Sequence, residues 1–256
     1  MGTRATKSLT QFGPCAISRA DVPAEGGQRD SIVCPESSRV LVVPFADWNE
    51  LAPEERQRRC ARVVLVGSES TGKTTLAQQL VEHYRSLGGI WEQTQWVPEY
   101  GREYTEILLA RQGVVESDPN AEVHSAEWTA EDFAIIAVEQ QKLEDAAAAV
   151  SSPVLFCDTD AFATQLWERR YLGAESTAAY DALPELPPRA LYLLADLKGV
   201  PFEQDGIRDG EDFREAMQRW FVEELDARRE HWALISGARE ERLGKSIRLV
   251  DGLLGL

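Results

Sequence analysis

Histidine is scarce in this chain and cysteine is scattered. Only His83, His124 and His231 are present, and the four cysteines, Cys15, Cys34, Cys60 and Cys157, form no CxxC pair and no Cys/His ligand spacing. A zinc site is not expected, and Cys157, inside the run Val154-Leu-Phe-Cys157, reads as a small buried residue. No apolar stretch approaches the roughly 18 residues of a membrane span, and the first residues lack the apolar core of a secretion signal. A reduced, cytoplasmic protein without a membrane partner is the expectation.

Positive charge is also in short supply. The formal net charge is −16, and residues 1–60 are balanced with eight Lys/Arg and eight Asp/Glu, so the whole excess lies in 61–256. Such a surface repels nucleic acid and anionic membranes at long range. An anionic ligand must then be captured by local donors and a metal ion, which suits a small nucleotide delivered with Mg²⁺ and argues against a nucleic-acid partner.

What is present is an ordinary soluble composition, 43% apolar and 27% charged, in a length that suits one α/β domain with an appendage. Residues 1–38 are rich in Gly, Ser, Pro and Arg without a period of 2 or 3.6, the pattern of a disordered leader. Residues 39–60 read as a linker with some order, in which Val40–Val43 is a candidate strand and Trp48, Leu51 and Pro53 are able to pack on the domain after them. The expected division is therefore a mostly disordered leader and linker over 1–60 and a domain over 61–256.

From Ala61 onward, short apolar runs alternate with helix-length amphipathic segments. Strands are predicted at 62–67, 96–99, 154–158, 190–194 and 232–236. Helices are predicted at 73–87, 102–111, from an N-cap at Thr129 to Ala149, and near 161–171, 211–229 and 240–254. Together they predict an α/β fold of the P-loop NTPase kind, a five-stranded parallel sheet covered by helices on both faces.

The segment Gly67-Ser-Glu-Ser-Thr-Gly-Lys-Thr74 matches GxxxxGK[ST], a loop whose backbone N–H groups wrap phosphates at a helix start. ATP contacts are expected along Gly67, Glu69, Ser70, Thr71, Gly72, Lys73, Thr74 and Thr75, with Lys73 reaching the β/γ-phosphates and Thr74 offering its hydroxyl to Mg²⁺. A strand ending in a carboxylate is the second part such a site needs. Asp158 fits it, and Asp160 is a candidate for a metal-bound water or a ribose hydroxyl, with a helix cap before Ala161 as the alternative. In Pro98-Glu-Tyr-Gly-Arg-Glu103, at the ligand edge of the sheet, Glu99 is placed to take a hydroxyl proton and Arg102 to steady phosphate; a solvated helix start would look the same.

These residues resemble the nicotinamide riboside kinase domain of bacterial NadR-like proteins, grouped with P-loop AAA-type domains. The resemblance rests on Gly67 to Leu76, on Trp96-Val-Pro-Glu-Tyr-Gly-Arg-Glu-Tyr104, and on Asp132-Phe133 with Ile136-Ala137 and Gln140. It continues through Cys157-Asp-Thr-Asp160 with Thr164 and Trp167, and Val200 to Asp209, similar to the family's lid. It implies transfer of the ATP γ-phosphoryl group to the 5′-hydroxyl of nicotinamide riboside, a small-molecule nucleoside.

Carried over by position, Lys73, Glu99, Arg102, Asp158 and Arg208 become catalytic, and Trp96, Glu99, Tyr100, Arg102, Gln140 and Asp160 bind substrate. Trp96 is then a platform for the pyridinium ring, core packing being the alternative for it. Residues 1–60 hold no histidine and so no HxGH motif, so adenylyl transfer is not expected; Phe202 stands where the family's lid has tryptophan. Another nucleoside or nucleotide kinase, or a regulatory P-loop ATPase without an acceptor, remain the competing readings, and the sequence leaves room for a homo-oligomer.

Overall fold

The computed structural model describes residues 45–113, 126–200 and 213–256. Five strands, β1 (Ala61–Val66), β2 (Gln95–Val97), β3 (Val154–Asp158), β4 (Leu191–Ala195) and β5 (Trp232–Ile235), form one parallel sheet in the order β2-β3-β1-β4-β5. Central β1 is buried at every residue, as a parallel strand covered on both faces must be.

Among the described residues, eight helices connect and cover the strands: α1 (Pro53–Arg59), α2 (Lys73–Ser86), α3 (Tyr100–Arg111), α4 (Ala130–Ala148), α5 (Ala161–Leu172), α6 (Ala178–Ala182), α7 (Arg214–Ala227) and α8 (Arg239–Leu254). Val63, Leu65, Phe156 and Leu193 point to the layer of α2 and α8, where they meet Leu76, Leu80 and Val250. Their strand neighbours Val64, Val66, Cys157 and Leu194 point the other way, toward Phe162 of α5 and Phe221 of α7. Period-two alternation thus divides the core into two layers.

The strand expectations agree with the structure, while α6 and a 3₁₀ segment at Gly89–Gln93 lie outside the predicted elements. Thr129 caps α4 in a reciprocal box with Asp132. The packed unit reaches back beyond residue 61. Phe45–Glu50 is a 3₁₀ helix, and Trp48 is 1% exposed with its indole N–H donating to the Ser151 carbonyl at 2.9 Å. The candidate strand Val40–Val43 and the leader lie outside the described residues.

Between the sheet and α4 lies a buried group of charges. The Arg189 guanidinium stands 2.9 Å from Glu144 and 3.0 Å from Asp160, so one cation serves two carboxylates. Tyr192 also donates to Asp160 at 2.9 Å. Burial, with the Asp160 charge adding to it, pushes the Glu144 carboxyl up to about 7 against the pull of Arg189 and Arg62. The folded chain therefore holds a proton there that an unfolded chain releases near the ordinary carboxylate range. This contribution to stability is complete below that range and is lost as pH rises through about 7. Glu144→Gln, a neutral mimic, is expected to match the parent in urea unfolding at pH 5 and to exceed it at pH 8 by on the order of 2 kcal/mol. A stability gap that does not change with pH would contradict this assignment.

Candidate functional site

The register of β1 against β3 assembles the phosphate end of the site. Leu65 pairs with Asp158, so Asp158 finishes its strand just where β1 runs into the glycine loop. The Thr74 hydroxyl donates to Asp158 Oδ2 at 2.5 Å. Gly67 has φ 137°, and a Cβ there would lie 2.9 Å from the Ala195 carbonyl oxygen. Gly72, at φ 80°, turns the loop into α2. Lys73 Nζ curls back to donate to the carbonyls of Gly67 at 3.0 Å and Ser68 at 2.9 Å.

A cavity of about 280 Å³ opens beside this loop. Glu69 to Thr75 line its phosphate end, Glu99, Gly101, Arg102 and Thr105 line the start of α3, and Trp128, Phe133, Trp167 and Tyr171 form an aromatic wall. The ring of Trp128 lies 5.1 Å from Phe133 and 5.3 Å from Tyr171, and Trp167 lies 6.4 Å from Tyr171. Two non-glycine residues at the cavity, Ser70 (φ 55°) and Thr159 (φ 65°), hold left-handed backbone, the kind of local strain that collects at functional sites.

Burial pushes the Asp158 carboxyl above the usual carboxylate range, and Lys73, the Thr74 hydroxyl and Arg102 pull it back. Its Oδ1 is buried with no hydrogen-bond partner. A hydroxyl beside a carboxylate with one oxygen uncommitted is an all-oxygen donor set that suits a hard divalent cation sharing its shell with water and phosphate. Among the described residues no group of three or more His, Cys, Asp or Glu could hold a metal, so such an ion would depend on ligand oxygens as well.

Most of the residues expected from sequence meet here. Glu69 to Thr75, Glu99, Arg102 and Gln140 border the cavity, and Asp158 joins it through Thr74. Three do not. Trp96 pairs in register with Phe156, which places it on the α2 face, against Val81 and Arg85 in a separate groove; core packing, not a ligand platform, describes it. Asp160 is fully buried, with Oδ1 accepting from the Ala163 amide as the cap of α5 and Oδ2 accepting from Arg189 and Tyr192, so it is an anchor and not a substrate contact. The Tyr100 ring lies outside the cavity lining, 6.2 Å from that of Tyr104.

Gln140 lines the cavity but spends its amide on the protein: Oε1 accepts from the Tyr100 amide at 2.9 Å and Nε2 donates to Glu144 at 3.4 Å. Arg208 and Phe202 lie outside the described residues. Sequence reasoning missed Trp128 and Tyr171. The signal for Tyr171 was present, since Thr164, Trp167 and Tyr171 repeat the i, i+3, i+7 spacing by which Phe133, Ile136 and Gln140 share one face of α4.

The sequence pattern of the AAA domain family matches residues 62–242. The chain belongs to that family. The chain is 26% identical over 215 residues to the trifunctional NAD biosynthesis/regulator protein NadR of Salmonella typhimurium, covering 83% of this chain and 47% of NadR. This chain thus spans about half the length of that relative. Among solved structures, a NadR protein in complex with NR superposes with a TM-score of 0.61 at 21% identity, covering 83% of this chain and 56% of that one. A NadR protein in complex with NAD and AMP-PNP superposes with the same score at 20% identity, covering 83% and 55%. These likenesses place the AAA domain in the P-loop NTPase fold, as the loop and the sheet order indicate.

Asp158→Asn keeps the size of the side chain and removes its charge, so this variant is expected to fold and to need several-fold more Mg²⁺ for half-maximal ATP binding. An unchanged Mg²⁺ titration would remove Asp158 from the metal's shell.

Proposed function

We propose that this AAA domain transfers the γ-phosphoryl group of ATP to the 5′-hydroxyl of nicotinamide riboside, forming nicotinamide mononucleotide and ADP. The observation that carries the reading is one cavity lined by the phosphate loop, by an aromatic wall of Trp128, Phe133, Trp167 and Tyr171, and by Glu99 and Arg102. A flat cationic pyridinium ring is attracted to aromatic faces by about 0.5–2 kcal/mol, beyond what a neutral base gains there. The likeness to NadR, including a NadR protein solved with NR, supports the same acceptor.

Position sets the roles. The loop amides and Lys73 hold the triphosphate, Lys73 exchanging the Gly67 and Ser68 carbonyls for phosphate oxygens. Thr74 and Asp158 would hold Mg²⁺, which when bound neutralises charge on the transferring group. The 5′-oxygen attacks the γ-phosphorus, the bond to the bridging oxygen of ADP breaks, and the hydroxyl proton passes to the Glu99 carboxylate. Arg102 neutralises charge on the phosphoryl oxygens during transfer. Gln140 fixes the first amide of α3, and so the approach of Glu99.

ADP release measured with a panel of nucleosides tests the reading: nicotinamide riboside is expected to give the highest kcat/KM. A neutral nucleoside in its place would point to another nucleoside kinase, and ADP release indifferent to every acceptor would point to a regulatory ATPase. Glu99→Gln is expected to lower kcat with nicotinamide riboside by roughly 10²–10⁴-fold while ATP affinity stays within about twofold. A fall in kcat of less than about threefold would take the proton-accepting role away from Glu99.

A further inference from the structure

A loop that binds phosphate with its N–H groups must turn its carbonyls elsewhere, because the two point in opposite directions across each trans peptide plane. The partners of those carbonyls are visible here. Lys73 takes the Gly67 and Ser68 oxygens from within the cavity. Arg242, on the first turn of α8, donates from Nη1 to the Thr71 carbonyl at 3.0 Å, from Nη2 to the Asp196 carbonyl at 2.8 Å and from Nε to the Gly237 carbonyl at 2.8 Å. Arg214, at the start of α7, donates to the Ser70 carbonyl at 3.4 Å.

Arg242 is 7% exposed and does not line the cavity, so its guanidinium stands behind the loop. One planar fork thereby ties the phosphate loop to the chain leaving β4 and the chain leaving β5. Pulling the Thr71 oxygen backward turns the N–H of the same peptide plane, that of Gly72, forward. Gly72 most needs such control, because a left-handed glycine has little steric resistance to a peptide flip.

We propose that Arg242 is a positioning residue for nucleotide binding: it holds the 71–72 peptide with its N–H toward the triphosphate, so that the loop is preorganised before ATP arrives. The inference rests only on the nucleotide half of the proposed function and is independent of the acceptor. Its buried positive charge also adds to the field at the phosphates, and burial holds its pKa below the usual guanidinium value, with Asp196 opposing.

The test is direct binding with no acceptor present: calorimetric titration of the full chain with ATP in excess Mg²⁺, and displacement measurements with AMP, whose single phosphate does not span the loop. Arg242→Met retains much of the buried stem and removes the fork. It is expected to weaken ATP at least tenfold and to leave AMP within twofold. Arg242→Lys, which keeps the charge but cannot reach three carbonyls, is expected to fall between the parent and Arg242→Met for ATP. ATP affinity within twofold of the parent in a folded Arg242→Met protein overturns the proposal. Equal losses for ATP and AMP also overturn it, since they would make Arg242 a support of the fold alone. If Arg242→Met does not fold, the ATP-to-AMP ratio in Arg242→Lys decides by the same criteria.

Discussion

Everything at the phosphate end hangs on the pairing of β1 with β3. Five consecutive residues of one strand lie beside five of the other, and the pairing finishes with Leu65 opposite Asp158. A slip of one residue would carry Asp158 to the wrong face and separate its carboxylate from Thr74. Both strands are buried to their last residue, so apolar packing on two faces enforces the register, and the chemistry inherits its geometry from the core.

The second half of the cavity is made by helices, and its precision has another source. Phe133, Ile136 and Gln140 on α4 line it together with Thr164, Trp167 and Tyr171 on α5, and Phe133 stacks on Tyr171 with ring centroids 6.1 Å apart. The neighbouring charges of Arg189, Glu144 and Asp160 join α4, the cap of α5 and the approach to β4. Such a cluster is costly to bury, and its members must all stay in place to satisfy one another. Gln140 connects it to the start of α3, so the residue next to Glu99 is held by the same polar chain that fixes the two helices.

What was legible in the sequence tracks the range of the interactions. The glycine loop, the strands and the carboxylate of Asp158 carry local patterns, and these stand where the residues indicated. Trp96 was misplaced because its face is decided by pairing with Phe156, sixty residues onward, and not by anything in its own segment. Asp160 carried two local meanings, and the cap prevailed because Arg189, 29 residues away, takes the other oxygen. No local pattern announces the pairing of Arg189 with Glu144, and nothing near Trp48 announced that its indole would seat on Ser151, 103 residues later.

That indole has a mechanical meaning. Ser151 lies just before the amino end of β3, while the cavity opens at the carboxyl end, a separation of roughly five residues of strand, or about 16 Å. A tension applied to the chain upstream of Phe45 is therefore delivered through Trp48 to the edge of the sheet farthest from the phosphates. A surface linker or fluorescent label attached on that side reports on a lever whose fulcrum is remote from the chemistry, leaving ligand exchange at the opposite rim unobstructed.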